Sequence, residues 1–161
     1  MIFALYTGQR LGDLAKLRWT AIDLEAREIR LTTDKTGRHQ KIPIRRPLMS
    51  FVRTLKKPSN LDSPLHPGAD SLVSRQGKPG TLSRQFYDIM AVAGLVSERP
   101  HRKREGNDDS RRRTASDLTF HSFRHTLTSM LKNAGVSASI AEEIVGHDVT
   151  ARKLAGGWNE L

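Results

Sequence analysis

The sequence contains no cysteine, which excludes disulfide bonds and thiolate metal sites and fits a reducing cytoplasm. None of its apolar runs approaches the roughly 18 residues that a membrane-spanning helix needs. The opening segment MIFALYTG is too short for a signal peptide and lacks the basic flank of one. These absences exclude secreted disulfide scaffolds and predict that the protein has no membrane partner.

Acidic residues are also scarce: the sequence has 17 of them and 27 lysines and arginines, which gives a net charge of +10. Residues 1–57 hold 13 basic and 5 acidic residues, whereas residues 98–117 hold 7 and 5 and the other two stretches balance. The surplus therefore lies on the N-terminal third. It predicts a polyanionic partner, most often a nucleic acid, with a merely solvated basic surface as the alternative.

Apolar residues spaced three or four apart predict six helices, several of them closed by a glycine. Period-two alternation across EIRLTTDKTGRHQKIPI, around a turn at Thr36-Gly37-Arg38, predicts a β-hairpin. The fold class is therefore α+β, mostly helical, with a small antiparallel sheet near the N-terminus. The predicted helices cover residues 1–7, 10–19, 48–57, 82–95, 120–134 and 139–145.

Two stretches predict loops. SNLDSPLHPGAD, residues 59–70, is rich in Pro, Ser and Asp. Residues 97–117 contain almost nothing that a core would bury, and we expect an exposed, charged loop there. That loop either touches DNA phosphates or is a solvated insertion, because its acids offset most of its bases.

The last two predicted helices carry defined boundaries and buried faces. We expect Ser139 to cap the final helix in a capping box with Glu142, and Gly146 to end it. We expect the core sides of the two helices to be formed by apolar stripes. These stripes comprise Phe120, Phe123, Leu127, Met130, Leu131 and Ala134 in the first helix, and Ile140 and Ile144 in the second.

The segment TFHSFRHTLTSML contains strongly polar side chains between the apolar residues of a predicted helix. His121 and Arg124 stand three residues apart, so they are neighbours on a helix and lie off its apolar stripe. A guanidinium matches phosphate oxygens, and an imidazole moves protons near neutral pH. The pair suits phosphodiester chemistry, but in isolation an exposed arginine beside a capping or core histidine explains it better, because H-x-x-R often occurs by chance.

Four further residues point the same way, although each alone is an ordinary surface group. Arg10 follows a glycine break, and Asp13 lies one turn later, where it could hold the guanidinium. Lys35 lies near the hairpin tip, from which a long ammonium side chain reaches into a groove. His147 directly follows a helix-ending glycine.

The order of these motifs resembles the catalytic domain of the tyrosine recombinases, or phage-type integrases, over nearly the whole span from Met1 to His147. The matching segments are TGQRLGDLAKLRW, TDKTGRHQKIPI and LTFHSFRHTLTSMLKNAGVSASIAEEIVGH. The resemblance implies the DNA breaking-rejoining fold of that family. It assigns catalytic positions to Arg10, Lys35, His121, Arg124 and His147, supporting positions to Asp13 and His125, and DNA contacts to Arg38, Lys41, Arg45 and Arg46.

The resemblance also implies a role for each group. Arg10 and Arg124 would clamp the scissile phosphate, and Lys35 would protonate the departing 5′ oxygen. His121 would assist proton transfer and His147 would hydrogen-bond a phosphate oxygen. The family uses no metal and no other cofactor, acts on double-stranded DNA, and assembles on it as the full-length protein. We therefore expect a bacterial or phage protein of the cytoplasm.

The family's nucleophilic tyrosine has no counterpart here. Gly156 stands at the expected position, and the only tyrosines, Tyr6 and Tyr87, lie in apolar helices where packing is their expected role. Three explanations fit: the sequence stops or changes frame before the tyrosine, the gene has decayed, or the protein binds DNA without cutting it. We expect a single catalytic domain over residues 1–161, shortened at both ends and without the N-terminal core-binding domain. The function is then that of a recombinase catalytic domain or of a non-catalytic DNA-binding remnant.

Overall fold

The computed structural model describes residues 1–97 and 118–146. These two ranges contain seven helices and three consecutive strands, with a short 3-10 helix at Trp19–Ala21. None of the helices in the two ranges is long and apolar enough to cross a membrane. In chain order the elements are α1 (Ile2–Thr7), α2 (Leu11–Ala15), β1 (Ile22–Asp23), β2 (Glu28–Thr32), β3 (His39–Pro43), α3 (Arg46–Thr54), α4 (Pro67–Gln76), α5 (Gly80–Val92), α6 (Ser122–Asn133) and α7 (Ala138–Val145).

The sheet is antiparallel with the strand order β1-β2-β3, and the predicted hairpin forms its larger part. Ile29 pairs with Ile42 on the buried face, while Arg30 pairs with Lys41 on the exposed face. This alternation is the one that the period of two predicts. Strand β1 was not predicted, because two residues are too few for any alternation to be visible.

The core lies between α1, α3 and the buried face of the sheet. Its fully buried members include Leu48 and Val52 of α3, both within the helix predicted over residues 48–57. Helix α2 is shorter than predicted and ends at Ala15. Leu17 and Trp19 remain buried nevertheless, because backbone bonds to Leu65 and Ser63 hold the chain after α2 against the loop before α4.

The prediction of a loop over residues 59–70 is wrong at its end, because α4 begins at Pro67. Proline at the first helical position loses no hydrogen bond, since that N–H has no intrahelical partner. Asp70 lies in the first turn, where a carboxylate favours the helix dipole. The residues that indicate a loop are therefore also those that begin a helix.

The two C-terminal helices form as predicted, with corrections to their caps and buried faces. Ser137, not Ser139, caps α7 by accepting a hydrogen bond from the Ile140 N–H. Ile140 is 52% exposed and Met130 is 56% exposed, so neither belongs to the core. Helix α6 packs against α1 and α7, and α7 packs against β3. These contacts bury the sides that carry Arg124 in α6 and Ala141 and Val145 in α7.

Candidate functional site

The turn after α1 places Arg10 at the rim of the site. Gly8 ends α1 in the left-handed conformation, with φ of 63°. A side chain there would also collide with the neighbouring helices, because a Cβ atom would lie 2.8 Å from Val145 and 3.0 Å from Leu127. Arg10 then begins α2 as its N-cap residue. Its Nη1 atom is buried and has no hydrogen-bond partner within the described chain.

Arg124 lies directly behind this turn and is only 2% exposed. Its Nη1 atom donates a 3.0 Å hydrogen bond to the carbonyl oxygen of Gly8. Burial, and secondarily the charge of Arg10, lowers the pKa of Arg124 to about 10, while the carboxylate of Asp13 acts in the opposite direction. Arg124 therefore stays protonated at neutral pH, and its charge and that of Arg10 repel one another.

Asp13 has a different contact from the one predicted. Among the described residues it makes no ion pair with Arg10. Instead its Oδ1 atom accepts a 3.0 Å hydrogen bond from the backbone N–H of Asp34, the residue before Lys35. The prediction of a guanidinium clamp was made from helical spacing alone. Asp13 therefore anchors the hairpin loop that carries Lys35.

The hairpin loop that carries Lys35 is held by its own hydrogen bonds. The Gly37 N–H donates to Thr33 O at 2.8 Å, and the hydroxyls of Thr33 and Thr36 lie 2.7 Å apart. Lys16 pairs with Asp34 at 2.6 Å, and this contact raises the pKa of Lys16. The exposed Lys35 side chain thus projects from an anchored loop.

One open cavity of about 1020 Å³ collects the predicted groups. Arg10 and Lys35 line one side of it, and His121, the N-cap residue of α6, lines another. Burial, followed by His125, Arg124 and Arg10, lowers the pKa of His121 below its ordinary value. The rings of His121 and His125 meet edge to face, with their centres 4.9 Å apart. His121 is therefore mainly a neutral imidazole at pH 7 until an anion enters.

Sequence reasoning missed several residues at this site. Lys78 and Tyr87 line the same cavity, and the Tyr87 hydroxyl donates to the Ser97 carbonyl at 2.8 Å. Gln9 and Gln40 are buried beside the end of α7. For Lys78 the signal was its position between Gly77 and Pro79, two residues that end one helix and precede the next. Nothing distinguished the two glutamines from ordinary surface residues.

The remaining predicted residues are not brought to the cavity by the described structure. His147 lies outside the described residues. Arg38 follows the hairpin turn, Lys41 lies on the exposed face of β3, and Arg45 and Arg46 precede or begin α3; none of the four lines the cavity. All four are exposed. Their predicted DNA contact stays a prediction.

The arrangement suits the binding of one compact anion with more than one negative oxygen. The guanidinium of Arg10, the imidazole of His121 and three ammoniums, those of Lys16, Lys35 and Lys78, line the cavity, and the buried Arg124 lies behind it. Of the two carboxylates in the lining, Asp34 pairs with Lys16, and Asp13 accepts the Asp34 N–H through Oδ1. Within residues 1–97 and 118–146 there is no group of three His, Cys, Asp or Glu side chains that could hold a metal ion. An anion would relieve the repulsion between Arg10 and Arg124 and raise the pKa of His121.

Comparison with known proteins identifies the family. The sequence profile described as the phage integrase family matches residues 1–151. The chain belongs to the phage integrase family. A curated relative, the integrase of Escherichia phage lambda, is 25% identical over 150 residues, which are 91% of this chain and 37% of the relative. The integrase-family chain thus spans well under half of that relative's length.

Solved structures agree on the fold. The integrase of the Tn1549 transposon, in complex with transposon right end DNA, gives a TM-score of 0.60 at 18% identity, covering 99% of this chain and 53% of that one. A lambda integrase dimer bound to a COC′ core site gives 0.58 at 20% identity, covering 99% and 43%. The predicted tyrosine-recombinase catalytic-domain fold is therefore confirmed, as is the family's link to DNA recombination and integration.

Proposed function

We propose that this chain binds duplex DNA and activates one phosphodiester for strand cleavage and rejoining, as the catalytic domain of a site-specific recombinase. The observation that carries the proposal is the gathering of Arg10, Lys35 and His121 around one cavity, with the charge of Arg124 directly behind them. Three segments far apart in sequence supply these groups. A generic basic surface would not bury one guanidinium beside another, because burial and the like charge both raise the free energy of the ionised group.

Arg10 and Arg124 act on the phosphate itself. The buried Nη1 of Arg10 is free to donate to a non-bridging phosphate oxygen, and the positive potential of Arg124 adds to its effect. Both groups stabilise the extra negative charge of the pentacoordinate transition state. In a dry, preorganised site, removing one such donor typically costs about 10²–10³ in rate.

Lys35 and His121 are proposed to transfer protons during the reaction. When a tyrosine oxygen bonds to phosphorus, the bond from phosphorus to the 5′ oxygen breaks, and the ammonium of Lys35 gives that oxygen its proton. His121, neutral before the phosphate arrives, accepts or relays the proton that the tyrosine hydroxyl loses. His147 is proposed to hydrogen-bond a phosphate oxygen, and His125 to support His121.

The exposed basic residues around the hairpin are proposed to hold the DNA backbone. Lys41 lies directly opposite Arg30, and like charges facing each other across strands are unfavourable. Asp23 and Glu28 neutralise Arg30, but Lys41 has no ion-pair partner in the described part of the chain. DNA phosphates would supply the missing negative charge at Lys41, and Arg38, Arg45 and Arg46 are proposed to contact the same DNA backbone.

The nucleophile is the catalytic group that we propose these 161 residues do not provide. Tyr6 packs against the core and Tyr87 is half-buried with its hydroxyl engaged, so neither is proposed to attack the phosphate. We propose that the chain by itself binds without forming the covalent link. The second candidate function, a DNA-binding or regulatory protein without catalysis, is favoured by the same observation.

Covalent trapping on a nicked suicide duplex separates the two functions. The Gly156→Tyr variant is expected to form a protease-sensitive protein–DNA adduct that the parent chain does not form. The Gly156→Phe variant is the matched control, because it adds the ring without the hydroxyl. Tight, salt-sensitive binding without an adduct in Gly156→Tyr supports the non-catalytic function, whereas absence of duplex binding at low ionic strength removes both.

A further inference from the structure

The C-terminal end of α7 is held by two glutamine side chains from other parts of the chain. Gln9 Nε2 donates to the carbonyl of Ile144 at 3.1 Å, and Gln40 Nε2 donates to the carbonyl of Glu143 at 3.2 Å. The last carbonyls of a helix have no intrahelical partner and are normally satisfied by water or by a local cap. Here two donors distant in sequence contribute, and the Glu143 carbonyl also accepts the Gly146 N–H at 3.2 Å.

Both glutamines are buried, Gln9 at 2% and Gln40 at 7% exposure. Their Oε1 atoms are buried too, and neither has a hydrogen-bond partner in the described ranges. An unpaired buried acceptor lowers stability, and an apolar side chain of the same length would avoid that cost. Stability is commonly given up in this way where a contact serves function.

Gly146, the residue after α7, fits closely against Gln40. A Cβ atom at Gly146 would lie 2.0 Å from Gln40 Nε2, and the backbone there is left-handed with φ of 71°. The position therefore requires glycine for both space and conformation. Gln40 therefore packs directly on the last residue of the described C-terminal segment.

The two glutamines come from the segments that carry two of the cavity's cations. Gln9 directly precedes Arg10, and Gln40 lies on β3 just beyond the loop that carries Lys35. A shift of either segment would thus move the end of α7 with it. The next residue after Gly146 is His147.

We propose that Gln9 and Gln40 form a glutamine clamp: two positioning residues that fix the end of α7 relative to Arg10 and Lys35. The clamp touches no substrate and acts only through the backbone of α7. It rests on the proposed function, in which His147 meets the same phosphate as Arg10.

The experiment uses the chain with ¹³C-labelled histidines and follows each ring as a short duplex DNA is added at low ionic strength. The variants are Gln9→Met, Gln40→Met and the double variant, since methionine keeps the length and removes the donor. Gln85→Met is the control, because Gln85 is exposed on α5. We expect DNA to shift the rings of both His121 and His147 in the parent and the control. In the double variant we expect the shift of His121 to persist and that of His147 to be lost.

Hydrogen exchange provides a second measurement that does not need DNA. The Gly146 amide should exchange faster in Gln40→Met than in the parent chain, and at the parent rate in Gln85→Met. The single variants keep this readout usable if the double variant does not fold. A response of His147 to DNA that survives in the double variant, or an unchanged Gly146 exchange rate in Gln40→Met, overturns the clamp alone. A parent chain in which DNA moves neither histidine overturns the proposed function.

Discussion

Arg124 caps helix α1 by donating a hydrogen bond to the carbonyl of Gly8, although 116 residues separate the two. The left-handed turn at Gly8 leaves this carbonyl available, and α6 brings the guanidinium to it. The bond joins the segment before Arg10 to the segment of His121. The hydrogen bond that caps α1 therefore holds the segments of Arg10 and Arg124 together, despite the repulsion between the two guanidiniums.

Gly8→Ala should disrupt this junction. The left-handed φ and the contacts with Val145 and Leu127 together should destabilise the fold by about 3 kcal/mol. Thermal unfolding should show a Tm lowered by roughly 6–12 °C for a domain of this size. Gly68→Ala is the matched control, since Gly68 lies in α4 with open space around it. It should raise stability by about 0.5 kcal/mol, and equal losses in both variants would contradict the close packing at Gly8.

His121 should titrate below its ordinary pKa of 6.5 in the free protein. The unfolded chain then takes up the proton first as the pH falls. The contribution of His121 to stability is therefore complete above pH 6.5 and is lost as the pH falls from there through the lower folded-state pKa. Histidine ring shifts measured against pH give the value directly.

Two variants and one ligand should raise that pKa. His125→Ala removes the largest charge effect on His121, and Arg10→Met removes a smaller one, so the first should raise the pKa of His121 more. Duplex DNA should raise it as well, because a phosphate favours the imidazolium. DNA binding should accordingly strengthen as the pH falls through this range. A free-protein pKa at or above 6.5 would mean that the site is neither dry nor positively charged.

Asp13→Ala should loosen the loop that carries Lys35. Loss of the carboxylate leaves the Asp34 N–H without its acceptor, at a cost of about 1–3 kcal/mol. Exchange of the Asp34 amide should become faster. Asp13→Asn keeps an oxygen acceptor without the charge, so it should preserve the slow exchange while further lowering the pKa of Arg124, which Asp13 now raises. Fast exchange in both variants would show that the charge, rather than the bond, holds the loop.

Lys41→Ala should lower the salt dependence of DNA binding. If Lys41 neutralises one phosphate, the slope of log affinity against log salt should decrease by about 0.9. Lys57→Ala is charge-matched and lies beyond the end of α3, away from the hairpin. It should leave the slope nearly unchanged in fluorescence anisotropy titrations. Equal losses would indicate that only the overall positive charge matters.

Local patterns in the sequence determined much of the fold. The hairpin was predictable because alternation has a period of two and Ile29 and Ile42 must share one face. The ends of α1 and α7 were predictable because Gly8 and Gly146 adopt a conformation that other residues avoid. Caps were less certain, since Ser137 and Ser139 are chemically equivalent and only the backbone path chooses between them.

The motif order also indicated the family and three of the polar groups that line the cavity, Arg10, Lys35 and His121. Their convergence was decided only by tertiary structure, because contacts across more than a hundred residues leave no local period in the sequence. The same holds for Asp13, which accepts a hydrogen bond from the Asp34 backbone, and for Gln9 and Gln40, whose side-chain amides donate to carbonyls of α7. A side chain's type can be read from the sequence, but its partner depends on which backbone groups the fold leaves unsatisfied beside it.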